Sequence, residues 1–202
     1  AEWGECCLRR GAKAWAAQAR GQARPTPGVV RVWSAMGDHA TALRVALQLV
    51  RSSGVQGNVA AGDACRSAGQ YAQAIGYYQK AFDAAGARDK KLADRAKASA
   101  EAIRLYEKFD VARMKEGVFR GSSPGYRGPV EVEVTIKAGR IEQVRVTRHL
   151  EDGYFFNLAN NSLPAAIVER QQLGGVDAVS GATFTSDAII SATARAMASA
   201  MQ

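Results

Sequence analysis

The sequence predicts an α+β protein in two parts: an all-helical first half, then a smaller half built on an antiparallel sheet. Three observations carry this. Residues 1–108 read as helical segments separated by Pro and Gly breakers. At 130–136, "VEVEVTI", the period changes to strict alternation, that of a strand buried on one face. The charge shifts as well. Residues 1–109 hold 17 Lys+Arg against 9 Asp+Glu and residues 110–202 hold 10 against 10, so the net +8 falls entirely in the first part. The expected parts are therefore 1–109 and 110–202, in a chain of 202 residues that is 47% hydrophobic and long enough for a real core.

In chain order, Pro25 and Pro27 interrupt the first pair of helical segments and "SSGVQG" (52–57) the next. Residues 61–82, "AGDACRSAGQYAQAIGYYQKAF", resemble a tetratricopeptide repeat. Gly62, Gly69, Tyr71, Ala74, Tyr78 and Ala81 fit that helix–turn–helix pattern, with Cys65 where an aromatic is usual. A fainter copy precedes it: Gly37, Ala42 and Ala46 stand 32 residues before Gly69, Ala74 and Tyr78, short of the usual 34. The small residues let paired helices approach closely. Such repeats also offer a groove to partners, and a plain helical spacer is an equal reading. Residues 87–109 give one long helix with Leu92, Ala96, Ala100, Ile103 and Tyr106 along one side.

In the second part Val130, Val132, Val134 and Ile136 share a strand face opposite Glu131, Glu133 and Thr135. "KAGR" (137–140) turns the chain and "IEQVRVTRH" (141–149) returns as the antiparallel partner. "LPAAIVERQQ" (163–172) reads as a short helix and "LGGVD" (173–177) as a turn. From Ser186, read as an N-cap, to Met201, the spacing of Ile190, Ala194, Met197 and Met201 marks an amphipathic helix.

Several classes are disfavoured. No apolar run reaches about 18 residues, so no spanning helix is expected. The cations of the first part (Arg44, Arg51, Arg66, Arg95, Arg104) are spread singly without interleaved aromatics. This argues against nucleic acid and for a solvated or partner-facing surface. No Cys/His spacing suggests a metal, and His39 and His149 are far apart. Cys65 reads either as a small buried apolar residue or, in an oxidising compartment, as a disulfide partner of Cys6 or Cys7. The start, Ala1–Glu2–Trp3, lacks a leader pattern, and a leader or anchor removed before Ala1 would leave the same start.

The stretch richest in chemistry is 177–187, "DAVSGATFTSD". Gly181 and Ala182 sit among the hydroxyls of Ser180, Thr183, Thr185 and Ser186, just before the last helix. A helix N-terminus offers unpaired N–H groups and a positive dipole end, and small residues admit a bulky group. The residues allow a phosphate site, although taken without further pattern a Ser/Thr-rich capping turn is the better reading.

Asp177-x-x-Ser180-Gly181-Ala182-Thr183 also resembles, at every fixed position, the flavinylation motif of the FMN-binding domain family. Five such positions recur by chance in a chain this long on the order of once in ten thousand. The likeness extends over about 115–202: "GVFRGSSPGYRGPVEVEVTIKAGRIEQVRVTRH" is similar to the family's opening hairpin and "LPAAIVERQQLGGVDAVSGATFTSDAII" to its close. The resemblance implies FMN joined by a phosphoester to Thr183, installed by a flavin transferase, with Thr185 the second choice of attachment site. Beside Gly181 and Ala182, Ser180 and Thr185 would hydrogen-bond the phosphate or cap the helix. Asp177 would aid recognition or shape the loop, or simply accept bonds from backbone N–H groups. Among residues placed to frame a flavin pocket, Tyr126, Tyr154, Phe155, Phe156 and His149, each reads also as core or strand-end filling, and His149 or Tyr126 is the candidate for facing the ring. The resemblance further implies an extracytoplasmic or membrane-associated electron carrier without a catalytic site of its own. On that reading the helical part docks a redox partner or scaffold. A non-covalent sensor or structural FMN is the alternative.

Overall fold

A computed structural model describes residues 24–106, 108–179 and 181–201, and the chain forms two compact units, 1–86 and 87–202. This division falls earlier than 109/110, because the long helix around residue 100 shares the apolar core of the sheet. A helix shows its own stripe in the sequence but not the surface that covers it. The division also redistributes charge: residues 1–86 hold 10 Lys+Arg against 5 Asp+Glu, and residues 87–202 hold 17 against 14.

The first unit contains α1 (Pro27–Ala35), α2 (His39–Ser52), α3 (Gly54–Ser67) and α4 (Tyr71–Asp83). Pro27 takes the first helical position of α1, where its missing N–H costs nothing, and Thr26 Oγ1 accepts from Val29 N–H at 3.3 Å. The break between α2 and α3 is shorter than 52–57: extended Ser53 alone separates them. Gly57 permits this, since a Cβ there would fall 2.3 Å from Val50 N. Gly62 does the same for α3 and α4. A Cβ there would lie 2.6 Å from the ring of Tyr78, which is fully buried and donates its hydroxyl to Asp63 Oδ1 at 2.7 Å.

The turns closing α1 and α3 repeat bond for bond at the 32-residue offset. Gly37 N–H donates to Ser34 O at 2.9 Å and Asp38 N–H to Trp33 O at 3.0 Å; then Gly69 donates to Arg66 O at 2.9 Å and Gln70 to Cys65 O at 2.8 Å. Both glycines are left-handed, with φ +78° and +71°. This is the Schellman ending of a helix, twice. Trp33, buried, stands at the same 32-residue offset before buried Cys65. Cys65 is buried, which pushes its thiol pKa up, and its expected partners Cys6 and Cys7 lie outside the described residues.

The second unit opens with a 3-10 turn (Ala87–Asp89) and α5 (Lys90–Tyr106). A three-stranded antiparallel sheet follows in the order β1 (Gly117–Pro124), β2 (Pro129–Lys137), β3 (Arg140–Arg148). Then come α6 (Gly153–Asn160), α7 (Leu163–Arg170) and α8 (Thr183–Ala200). β1 has no alternating pattern because α8 lies directly on its backbone: a Cβ at Gly121 would fall 2.1 Å from Ala192 O. Only glycine facing an alanine-rich helix allows that approach. Val130, Val132, Val134, Ile136 and Ile141 are essentially unexposed. The register shifts at Thr135/Ile136, so Ile141 and Val144, three apart, both face inward. Ala138 and Gly139, at φ +49° and +68°, form the tight turn between β2 and β3. Gln171 ends α7 at φ +56°, and its side chain pairs with both backbone groups of Ile141, at 2.8 and 2.9 Å. Among the described residues no helix is long and apolar enough to cross a membrane.

Candidate functional site

The loop before α8 is anchored by buried Leu173 and Val176. Past them, Val179 N–H donates to Ser186 Oγ at 3.0 Å and Ala182 N–H to Val179 O at 3.0 Å. Gly181 holds φ +86°, with open space where a side chain would begin, so its constraint is the backbone angle.

This geometry corrects the predicted cap. α8 starts at Thr183, not Ser186, with Ala182 as N-cap and no side-chain cap bond. Ser186 is fully buried and its hydroxyl serves the loop. The sequence offered several hydroxyls and could not say which one the helix leaves outside. Thr183, half-buried, is the first helical residue. The first amides of a helix have no partners within it and favour an anion.

Thr185 differs. It is 2% exposed and donates its hydroxyl to Glu151 Oε2 at 2.6 Å, so its proton is committed inside the protein. Glu151 is itself buried and accepts Arg127 N–H at 2.9 Å. A Cβ at Gly125 would lie 2.7 Å from its Oε1. One carboxylate thus ties the tip of the β1–β2 hairpin to the first turn of α8. The Arg127–Asp152 ion pair, at 3.1 Å, lies beside it.

Phe184 links the first turn of α8 to the hairpin and to α5. Its ring meets Tyr126 edge to face at 5.4 Å, and the Arg95 guanidinium lies 5.4 Å from it. Arg95 Nε pairs with Asp187 Oδ2 at 2.5 Å, both side chains almost fully buried. Arg95 is therefore not a surface cation, contrary to its place among the spread charges. Lys91 Nζ stands 4.1 Å from the Tyr126 ring centre. Tyr126 is half exposed. His149, just beyond β3, stacks on Phe156 at 3.6 Å and 9°, and its Nδ1 is buried without a hydrogen-bond partner among the described residues. Tyr154 and Phe155 are exposed, as is Asp177; Ala182 is buried. Ser180 lies outside the described residues.

Tyr126 and Thr183 are thus joined through Phe184, while His149 belongs to a separate stack. Sequence reasoning missed Lys91, Arg95, Glu151, Phe184 and Asp187. Arg95 did carry a signal: it falls three residues after Leu92 and beside Ala96, on the apolar stripe of α5, where a charge implies a buried partner.

Residues 125–198 match the FMN-binding domain family. The second unit carries an FMN-binding domain. The protein is a flavin-binding protein and FMN is its cofactor. An uncharacterized protein of Treponema pallidum (strain Nichols) is 45% identical over 85 residues, 42% of this chain and 23% of that relative. The chain therefore spans about a quarter of that relative's length. No solved structure matches the chain. The residues suit FMN: a half-buried hydroxyl at a helix start without a side-chain cap for the phosphate, and exposed Tyr126 one ring away for the aromatic system. Among the described residues no group of His, Cys, Asp and Glu could hold a metal ion.

Proposed function

We propose that the protein is an electron carrier whose FMN is held by a phosphoester to Thr183. One observation carries this reading. Of the described hydroxyls in the stretch 177–187, Thr185 and Ser186 are buried and bonded inside the protein, whereas Thr183 stands half-buried at the helix start. On loading by a flavin transferase, Thr183 Oγ bonds to the FMN phosphorus of FAD, the pyrophosphate bond breaks and AMP leaves. The transferase supplies the base for the hydroxyl proton, since a threonine hydroxyl is a weak nucleophile unaided. Bound FMN supplies one- or two-electron transfer.

This chain's own residues orient the acceptor. The amides of the first turn of α8 receive the phosphate charge, Gly181 sets the approach, and Glu151 holds the turn against the hairpin. An ester prevents cofactor loss, which suits an extracytoplasmic carrier. The helical unit, with 10 cations against 5 anions, docks the redox partner or scaffold.

Co-expression with a flavin transferase followed by intact-mass measurement tests the assignment. Wild-type protein gains one FMN ester, Thr183→Ala gains none, and Gly181→Ala gains less because alanine resists φ +86°. A flavin peptide mapped to another residue, or colour lost on denaturation, defeats the reading in favour of non-covalent FMN.

A further inference from the structure

We infer that the flavin ring is seated in the groove between α5 and the β1–β2 hairpin, against Tyr126 and Lys91. The inference rests on Thr183 as the attachment point and deepens that reading. Part of the proposed wall lies outside the matched family segment: α5 and β1 both precede residue 125.

The groove measures about 380 Å³, within the range of small-molecule sites. Lys91, Asp94, Ser123, Tyr126, Arg127 and Arg195 are among the residues that line it. Three features suit an aromatic ring that gains negative charge on reduction. Tyr126, 46% exposed, presents an aromatic surface and touches Phe184, the neighbour of Thr183 in the chain. Lys91 Nζ stands over that tyrosine at 4.1 Å. The other cations of the groove are engaged, Arg127 with Asp152 and Arg195 with Glu101, whereas Lys91 extends its charge over a ring that can be shared with a second aromatic. Ser123, fully buried, has a hydroxyl without a hydrogen-bond partner among the described residues, as expected beside a site that receives a polar ligand. The rival seat, His149, stacks one ring face on Phe156.

The test uses the full chain loaded with FMN by a co-expressed transferase, comparing wild type with Lys91→Met, Lys91→Glu, Tyr126→Leu and His149→Leu. Covalent loading is read by intact mass, folding by circular dichroism, the seat by flavin fluorescence and midpoint potential. Tyr126→Leu should raise flavin fluorescence several-fold, because a tyrosine against the ring quenches it. Lys91→Met should shift the potential negative and Lys91→Glu further, with the mass increment retained. Unchanged fluorescence and potential in these three, or a larger change in His149→Leu, overturns the groove. Failure of wild type to gain the ester overturns the Thr183 reading instead. The groove is then judged with added FMN, whose affinity must fall at least tenfold in Tyr126→Leu and Lys91→Glu.

Discussion

The two units use the same device, a glycine where backbones or rings meet, to different ends. In the helical unit Gly57 and Gly62 admit neighbouring helices, and Gly37 and Gly69 close two equivalent turns. The conspicuous buried polar bond there, Tyr78 to Asp63, fastens adjacent helices. In the sheet unit Gly121 and Gly125 admit α8 and the Glu151 carboxylate. Around them buried polar pairs gather at one place: Glu151 with Thr185 and Arg95 with Asp187, both on the first two turns of α8. Burying charge is costly unless it is paired, so such a concentration marks where geometry is held rather than where stability is gained. The first unit is organised for packing and the second for placing one helix start.

Removing one partner of the buried ion pair attacks that difference most directly. Arg95→Met removes the buried guanidinium paired with Asp187 and should destabilise the sheet unit by about 3–5 kcal/mol, read by chemical denaturation. A loss below about 1 kcal/mol would show that the pair is solvated and the comparison too strong. Gly121→Ala comes next at about 3 kcal/mol, since the intruding methyl meets the backbone of α8, which cannot rotate aside. Thr185→Val, of nearly the same shape, should cost about 2 kcal/mol by leaving the Glu151 carboxylate short of a donor, while Thr185→Ser should be near neutral. Gly62→Ala in the helical unit is expected to cost about 1 kcal/mol, because it meets the ring of Tyr78 and not backbone. If Gly62→Ala proved costlier than Gly121→Ala, the helical unit would be the more tightly fitted of the two.

The smallest effect concerns the outer sheet face. The Arg145 and Arg120 guanidiniums beside Glu133 hold its carboxyl below the ordinary value of 4.5. A depressed folded-state pKa means the contribution is present above 4.5 and is lost as pH falls below it through the lower folded value. Melting temperatures of wild type and Glu133→Gln should therefore differ at pH 6 and converge as the pH drops below 4. A gap that widens on acidification would reverse the sign of this account.

Much of this was legible beforehand because it depends on local periods. Alternation at 130–136 revealed β2, "KAGR" its turn, and Pro25 and Pro27 a break between helical segments. The 32-residue offset of Gly37 and Gly69 was visible in the sequence, and the structure shows that the turns at both glycines carry the same hydrogen bonds. β1 escaped the periodicity because an edge strand pressed against a helix carries Gly and Ser in place of branched apolar residues.

What the sequence by itself determined was the α+β class, the strand pair, the helix after the hydroxyl-rich loop and the motif 177–183 that points to FMN. Each rests on residues close in the chain, where backbone geometry fixes neighbours. Tertiary structure alone decided that α8 begins at Thr183, that Thr185 and Ser186 are spoken for, and that α5 belongs with the sheet. Those outcomes depend on Glu151, 34 residues before Thr185, and on Arg95, 92 residues before Asp187. A hydroxyl or a charge does not disclose its partner through local spacing; only the folded chain brings the two within hydrogen-bond reach.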